Sequence, residues 1–122
     1  MATIASSAAW APNPHNPPLY LDLPFKDGVI RQDIAAKIMA NRTLYTIEQY
    51  LPNLKSLTGI GMDAGLQDIG ISASTKNLHE LLEAYNIPHF YESYEGDHLN
   101  RIAERIRKTT LPFFSEHLVF EE

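Results

Sequence analysis

The sequence predicts an α/β fold of about three parallel strands with flanking helices, and three observations predict it. Apolar segments with strand patterning alternate along the chain with segments whose apolar residues recur at helical spacing. The order strand, helices, strand, helix, strand, helix leaves stretches between strands long enough for right-handed crossovers. The 122 residues, 44% apolar and 20% charged, suit a single domain with a modest core.

Residues 1–10 carry the first expected strand, placed at about residues 2–9, because "ATIASSAAW" is short, small-residued and partly β-branched. Residues 11–28, "APNPHNPPLYLDLPFKDG", are proline-rich and predict an extended surface loop, since proline supplies no amide donor. Residues 29–55 read as helices. Ile30, Ile34, Ile38 and Met39 share one stripe, then Leu44, Ile47 and Leu51 another, behind Thr43 as a possible cap. Residues 56–122 complete the pattern. A strand over 56–62 contains Leu57, Ile60 and Met62, and a helix carries Leu78, Leu81, Leu82 and Tyr85 between a serine or threonine cap and Asn86. An aromatic, alternating strand over 88–94 follows, and a last helix carries Leu99, Ile102, Ala103, Ile106 and Leu111, with a bend at Pro112.

Composition removes several classes of function. A formal charge of −5 and ten basic residues, none in a run longer than two, do not make a phosphate-tracking surface, so no nucleic-acid partner is expected. The absence of cysteine excludes disulfides and thiolate chemistry. No apolar run is long enough for a membrane span, and "MATIASSAAWA" lacks the pattern of a secretory signal. The expectation is a cytoplasmic protein with no membrane partner and a small-molecule substrate.

In open parallel sheets, catalytic groups gather beyond the carboxyl ends of the strands. Two loops have that address. "GMDAGLQD" carries Asp63 and Asp68, and "YEGDH" carries Glu95, Asp97 and His98. A carboxylate and a histidine at neighbouring strand ends have the arrangement of a base and its orienter. His89 is expected to point off the last strand, and His79 to lie on the exposed side of its helix. Trp10, Tyr20 and Phe25 are expected to cover exposed sheet.

These motifs resemble the C-terminal part of the α/β-hydrolase esterases, in the esterase D-like branch, alongside enterochelin-esterase relatives. The match runs from about Leu57 to Phe120. "DAGLQD" corresponds to the D-x-G-x-x-D pattern at the acid, "GDH" to the G-x-H around the histidine, and "NIPHFYESYEGDH" and "LPFFSEHL" also look like the family. "AAWAPNPHNPPLYLDLP" is similar to the loop after the family's sixth strand. The resemblance implies Asp68 as the triad acid, His98 as the triad base and Asp63 as a structural residue tying down its loop. Asp97 is a further supporting residue.

The departure from the family lies at the nucleophile. Hydrolases of this fold place a serine in G-x-S-x-G, and none of Ser6, Ser7, Ser56, Ser72, Ser74, Ser93 and Ser115 stands in that motif. "GMDAG" imitates the elbow with an aspartate, which the acidic loop explains better. The resemblance therefore implies a truncated C-terminal half that starts at the sixth strand. Three functions follow as expectations: an esterase-like protein of weak or altered hydrolytic activity using Asp68 and His98, a non-catalytic oligomeric remnant, or a metal-dependent enzyme of the two-histidine-one-carboxylate type, such as an oxygenase acting on an aromatic substrate through His98. No cofactor is expected on the first reading. On the third, a divalent manganese, iron or zinc ion is, with His98, His15 and Glu104 as leading ligands and His89, His117, Asp63, Asp68 or Asp97 as others. A sheet cut at its first strand exposes that strand's edge, which predicts a homo-oligomer of at least a C2 dimer, paired antiparallel through residues 2–9.

Overall fold

The computed structural model describes residues 2–120; Met1 and residues 121–122 lie outside the described residues. The protein is mixed α/β and divides into two compact units, Met1–Leu51 and Pro52–Glu122.

The first unit contains α1 (Ala2–Trp10), a short antiparallel hairpin of β1 (Phe25–Lys26) and β2 (Val29–Ile30), α2 (Gln32–Ala40), α3 (Thr43–Thr46) and a 3-10 turn over Ile47–Tyr50. The expected first strand is thus a helix. Alanine is the strongest helix former and recurs at positions 2, 5, 8 and 9, outweighing the β-branched pair Thr3 and Ile4. Small side chains on α1 also let it approach α2, where Ala11, Ile34 and Ile38 form a buried cluster with Trp10 packed against it. Ser7 is fully buried beside these residues in sequence, and its Oγ has no hydrogen-bond partner among the described residues. Strand pairing between two copies through residues 2–9 consequently has no strand to run on.

The proline-rich stretch is folded rather than extended. Ala11 N donates to Ser7 O, Asp22 N to Ala11 O and Asn13 N to Tyr20 O, while Pro12 and Leu21 form an isolated antiparallel bridge. Asparagine amides stand in for the donors that proline lacks: Asn13 and Asn16 donate to the Asp22 carboxylate, which also accepts from Arg31. Those bonds, Asn13 first, hold the Asp22 carboxyl below the usual aspartate range. The helical stripe expected from Ile30 begins later, because the hairpin takes up Val29 and Ile30 and only Ile34 and Ile38 turn inward. Thr43 is a helical residue and not the cap.

The second unit contains α4 (Leu51–Lys55, entered at the division), β3 (Gly61–Gly65), α5 (Ile69–Ala84), β4 (Phe90–Tyr94), α6 (Ile102–Arg105), a π-helical segment over Ile106–Thr110 and α7 (Leu111–His117). Among the described residues the parallel sheet has two strands, β3 and β4, joined through α5, where the sequence predicts about three. Relative to the sequence reading, β3 starts at Gly61 instead of 56, leaving Leu57 in solvent. The register pairs Gly61 with Phe90, Asp63 with Glu92 and Gly65 with Tyr94. Side chains alternate across a strand, so Asp63, Glu92 and Tyr94 share one face while Met62, Ala64, Tyr91 and Ser93 share the other.

Helices cover both faces, as a parallel sheet requires. On the first, Arg105 of α6 reaches the carboxylates and lies 4.7 Å from the centroid of the Tyr94 ring. Phe113 of α7 lies so close to Gly61 that a β-carbon there would meet its ring at 3.2 Å. On the second face, α5 packs on β3 and His79 stacks on Tyr91 with ring centroids 4.3 Å apart. Ala64, Leu82 and Ile87 are the buried apolar residues of this unit.

Two helix ends differ from expectation for clear reasons. Asp68, not a serine or threonine further on, caps α5, so the helix starts at Ile69. Its end is where expected: Asn86 has φ 54°, the left-handed conformation that asparagine tolerates after a helix. The last helix begins at Ile102, and the π segment sits just before Pro112, whose missing amide interrupts regular pairing. Its expected apolar stripe is largely exposed, Leu99 and Leu111 included.

Candidate acid–base site

The loops after β3 and β4 continue the parallel pairing beyond the strands. Leu66 N donates to Tyr94 O at 2.9 Å, and Gln67 N to Gly96 O at 3.0 Å. Gln67 Nε2 adds a bond to Glu95 Oε2 at 2.7 Å. Glycine at 65 is what allows this approach, since a β-carbon there would lie 2.3 Å from the Gly96 carbonyl oxygen. The chain then turns into α5, with Asp68 N donating to Gly65 O and Asp68 Oδ1 accepting weakly from Ile71 N at 3.5 Å.

The second loop is held by Asp97. Its Oδ1 accepts from Leu99 N and Asn100 N, both at 2.8 Å, and its own amide donates to Asn100 Oδ1 at 3.0 Å. These two backbone bonds, to Leu99 first, hold the Asp97 carboxyl below the usual aspartate range, and the neighbouring His98 adds to the effect. Asp97 thus shapes the turn that presents His98 and makes no hydrogen bond to the imidazole.

Zipping the loops together brings His98 Nδ1 to 2.5 Å from Asp68 Oδ2. Both residues singled out from the sequence meet across thirty positions of chain. A carboxylate only accepts, so Nδ1 carries the proton, and in the neutral ring Nε2 holds a lone pair. Nε2 has no hydrogen-bond partner among the described residues. The His98 side chain is 72% exposed and that of Asp68 21%, so the carboxylate is sheltered while the imidazole is open to solvent. The dyad lies outside a depression of about 430 Å³ in this unit, which is lined by Gly59, Ile60, Phe90, Phe113, Glu116 and His117 at the opposite end of the strands.

Asp63 has a different role. The register sets Asp63 and Glu92 side by side, a like-charge pair that is destabilising without a cation. Arg105 is that cation, its Nε donating to Asp63 Oδ2 at 2.7 Å and its Nη2 to Glu92 Oε2 at 2.5 Å. The bond to Glu92, foremost, raises the Arg105 guanidinium above its already high range. Asp63 therefore ties β3 to α6. Sequence reasoning passed over Arg105 because its role depends on a cross-strand register.

Glu104, one of the leading metal-ligand candidates, is committed to neighbouring cations. Both Glu104 oxygens are engaged, accepting from Lys108 at 2.8 Å and Arg101 at 3.0 Å, and these cations, Lys108 first, lower the Glu104 carboxyl. His15 belongs to the first unit, in the folded proline-rich loop, and His98 to the second. Among the described residues no three histidine, aspartate or glutamate side chains are placed to hold one ion. No helix among them is long and apolar enough to cross a membrane.

His79 and His89 depart from expectation. Half-buried rather than on the exposed side of its helix, His79 sits at the α5–β4 joint with its Nδ1 2.7 Å from His89 Nε2. The signal that could have found them was weak: the helical phase places His79 one residue after Leu78, and only the return of β4 beneath α5 brings His89 to it. Comparison with known protein families and with curated proteins finds no match to this chain.

Proposed function

We propose that this protein is an α/β-hydrolase-derived, esterase-like protein in which His98 and Asp68 are the acid/base pair of a weak ester hydrolysis. The observation that carries the reading is the 2.5 Å contact between Asp68 and His98 at the carboxyl ends of two adjacent parallel strands. That location and pairing are those of a general base with its orienting carboxylate.

With no serine in a G-x-S-x-G motif, the proton that His98 removes belongs to water or to a substrate hydroxyl. Nε2 takes it as the oxygen attacks the ester carbonyl, and the imidazolium formed is stabilised through Nδ1 by Asp68. The same proton then passes to the departing alkoxide, so the histidine returns to its neutral form. Asp63 and Arg105 hold β3 against α6, and Asp97 holds the turn.

A chromogenic short-chain ester tests the proposal. An exposed imidazole hydrolyses activated esters unaided, so dependence on Asp68 is the deciding result. His98→Ala and Asp68→Asn are expected to lower kcat/KM by about 10²-fold, the lower end of general-base contributions. Hydrolysis by Asp68→Asn at the wild-type rate, in a protein that keeps its fold, overturns it.

A further inference from the structure

Away from the Asp68–His98 pair, two histidines and a glutamate come together where α5 meets β4. His89 Nδ1 is 2.7 Å from Ile87 O, and a carbonyl only accepts, so this nitrogen carries a proton. In the neutral ring Nε2 then accepts, and its partner at 2.7 Å, His79 Nδ1, must donate. The relay leaves His79 Nε2 with its lone pair outward. Tyr91 stacks on the ring at an interplanar angle of 14° and fixes its plane. One helical turn further on, Glu83 Oε2 stands 3.6 Å from that Nε2.

We infer that His79 and Glu83 bind a divalent transition-metal ion, with His89 as the positioning residue behind them. Two metal–ligand bonds of about 2.1 Å at a tetrahedral angle place their donor atoms about 3.4 Å apart, close to the observed separation. Ligands four residues apart on a helix reach a common ion, as the paired histidines of zinc-binding helices do. A ligating imidazole ordinarily donates its other N–H to a fixed acceptor, and His79 does so to His89. The His79 side chain is 25% exposed and that of Glu83 63%, so an ion can enter and keep waters in its remaining positions. Nitrogen and carboxylate donors suit zinc, nickel and copper, with copper bound most tightly.

Zinc ion alone, titrated into the intact chain and followed by calorimetry and by amide NMR shifts, tests the inference. One ion per chain is expected, with the largest shifts around residues 79–83 and 89. His79→Gln should abolish binding at this position. His89→Phe, which removes no metal ligand, should weaken binding by about 10- to 100-fold, whereas His89→Gln, whose Oε1 can still accept from His79, should restore most of it. Should changes at His79 or His89 disturb the fold, Glu83→Gln leaves the His79–His89–Tyr91 stack in place and must still lower affinity. Zinc-induced shifts centred on His15, His98 or His117, or unchanged affinity in Glu83→Gln or His89→Phe, overturn the inference.

Discussion

Substituting alanine at Gly65 tests how the loops that carry Asp68 and His98 are held together. The new β-carbon would lie 2.3 Å from Gly96 O and 3.0 Å from Asp97 O, so relief requires backbone movement and not a rotamer change. Overpacking of this kind costs about 1–3 kcal/mol. Loop separation would also lengthen the bonds from Leu66 N to Tyr94 O and from Gln67 N to Gly96 O, each with a net value of about 0.5–1.5 kcal/mol. Partial loss of the two bonds brings the total to about 2–4 kcal/mol. For a chain of 122 residues this corresponds to a fall in Tm of roughly 6–16 °C. Urea unfolding followed by circular dichroism measures the energy, and the side-chain NMR signals of His98 report on its contact with Asp68. Gly65→Ala should show both the stability loss and a His98 signal no longer coupled to Asp68. A variant within about 0.5 kcal/mol of wild type, with His98 unchanged, would refute the reasoning that glycine is required for loop contact.

Two further outcomes follow from the charges around the sheet. Arg105→Met leaves Asp63 and Glu92 side by side without their cation; because Glu92 is 41% exposed, the expected cost is discounted from the buried-pair range to about 1–3 kcal/mol. Adding Asp63→Asn should recover part of that loss in a double-mutant cycle, and additive costs would show that the three groups are not coupled. Asp97 has a lowered carboxyl, so its stabilising contribution is present above the unfolded aspartate value near pH 4 and disappears as pH falls through the folded value. Asp97→Asn keeps an oxygen able to accept from Leu99 N and Asn100 N but removes the charge, and its urea midpoint should fall below that of wild type at pH 7, with the gap narrowing as the pH is lowered beneath the unfolded aspartate value. A gap that persists unchanged at acid pH contradicts the assignment.

Much of the acid–base site was legible in the sequence because its signals are local. "DAGLQD" and "YEGDH" each place chemistry-bearing residues directly after a strand pattern, and alternation of strand with helix implies that neighbouring strand ends lie together. Asn86 announced the end of α5 in the same way, through a conformational preference that belongs to the residue itself. The expected first strand was different. "ATIASSAAW" is short and small-residued, so its periodicity does not separate a buried strand from a helix, and close packing of α1 on α2 decided between them. The folded proline-rich loop required Asn13, Asn16 and Arg31 to converge on Asp22. The role of Asp63 could be guessed as structural, but Arg105 as its partner depends on a parallel register that sets Asp63 beside Glu92 and on an α6 placed over that face. His79 and His89 meet only because β4 returns beneath α5. The sequence by itself determined which residues could do chemistry and at which strand ends, since turn and cap preferences act within a few residues. Tertiary structure decided which of them touch, because hydrogen bonds and ion pairs across the sheet require distances that no local preference sets.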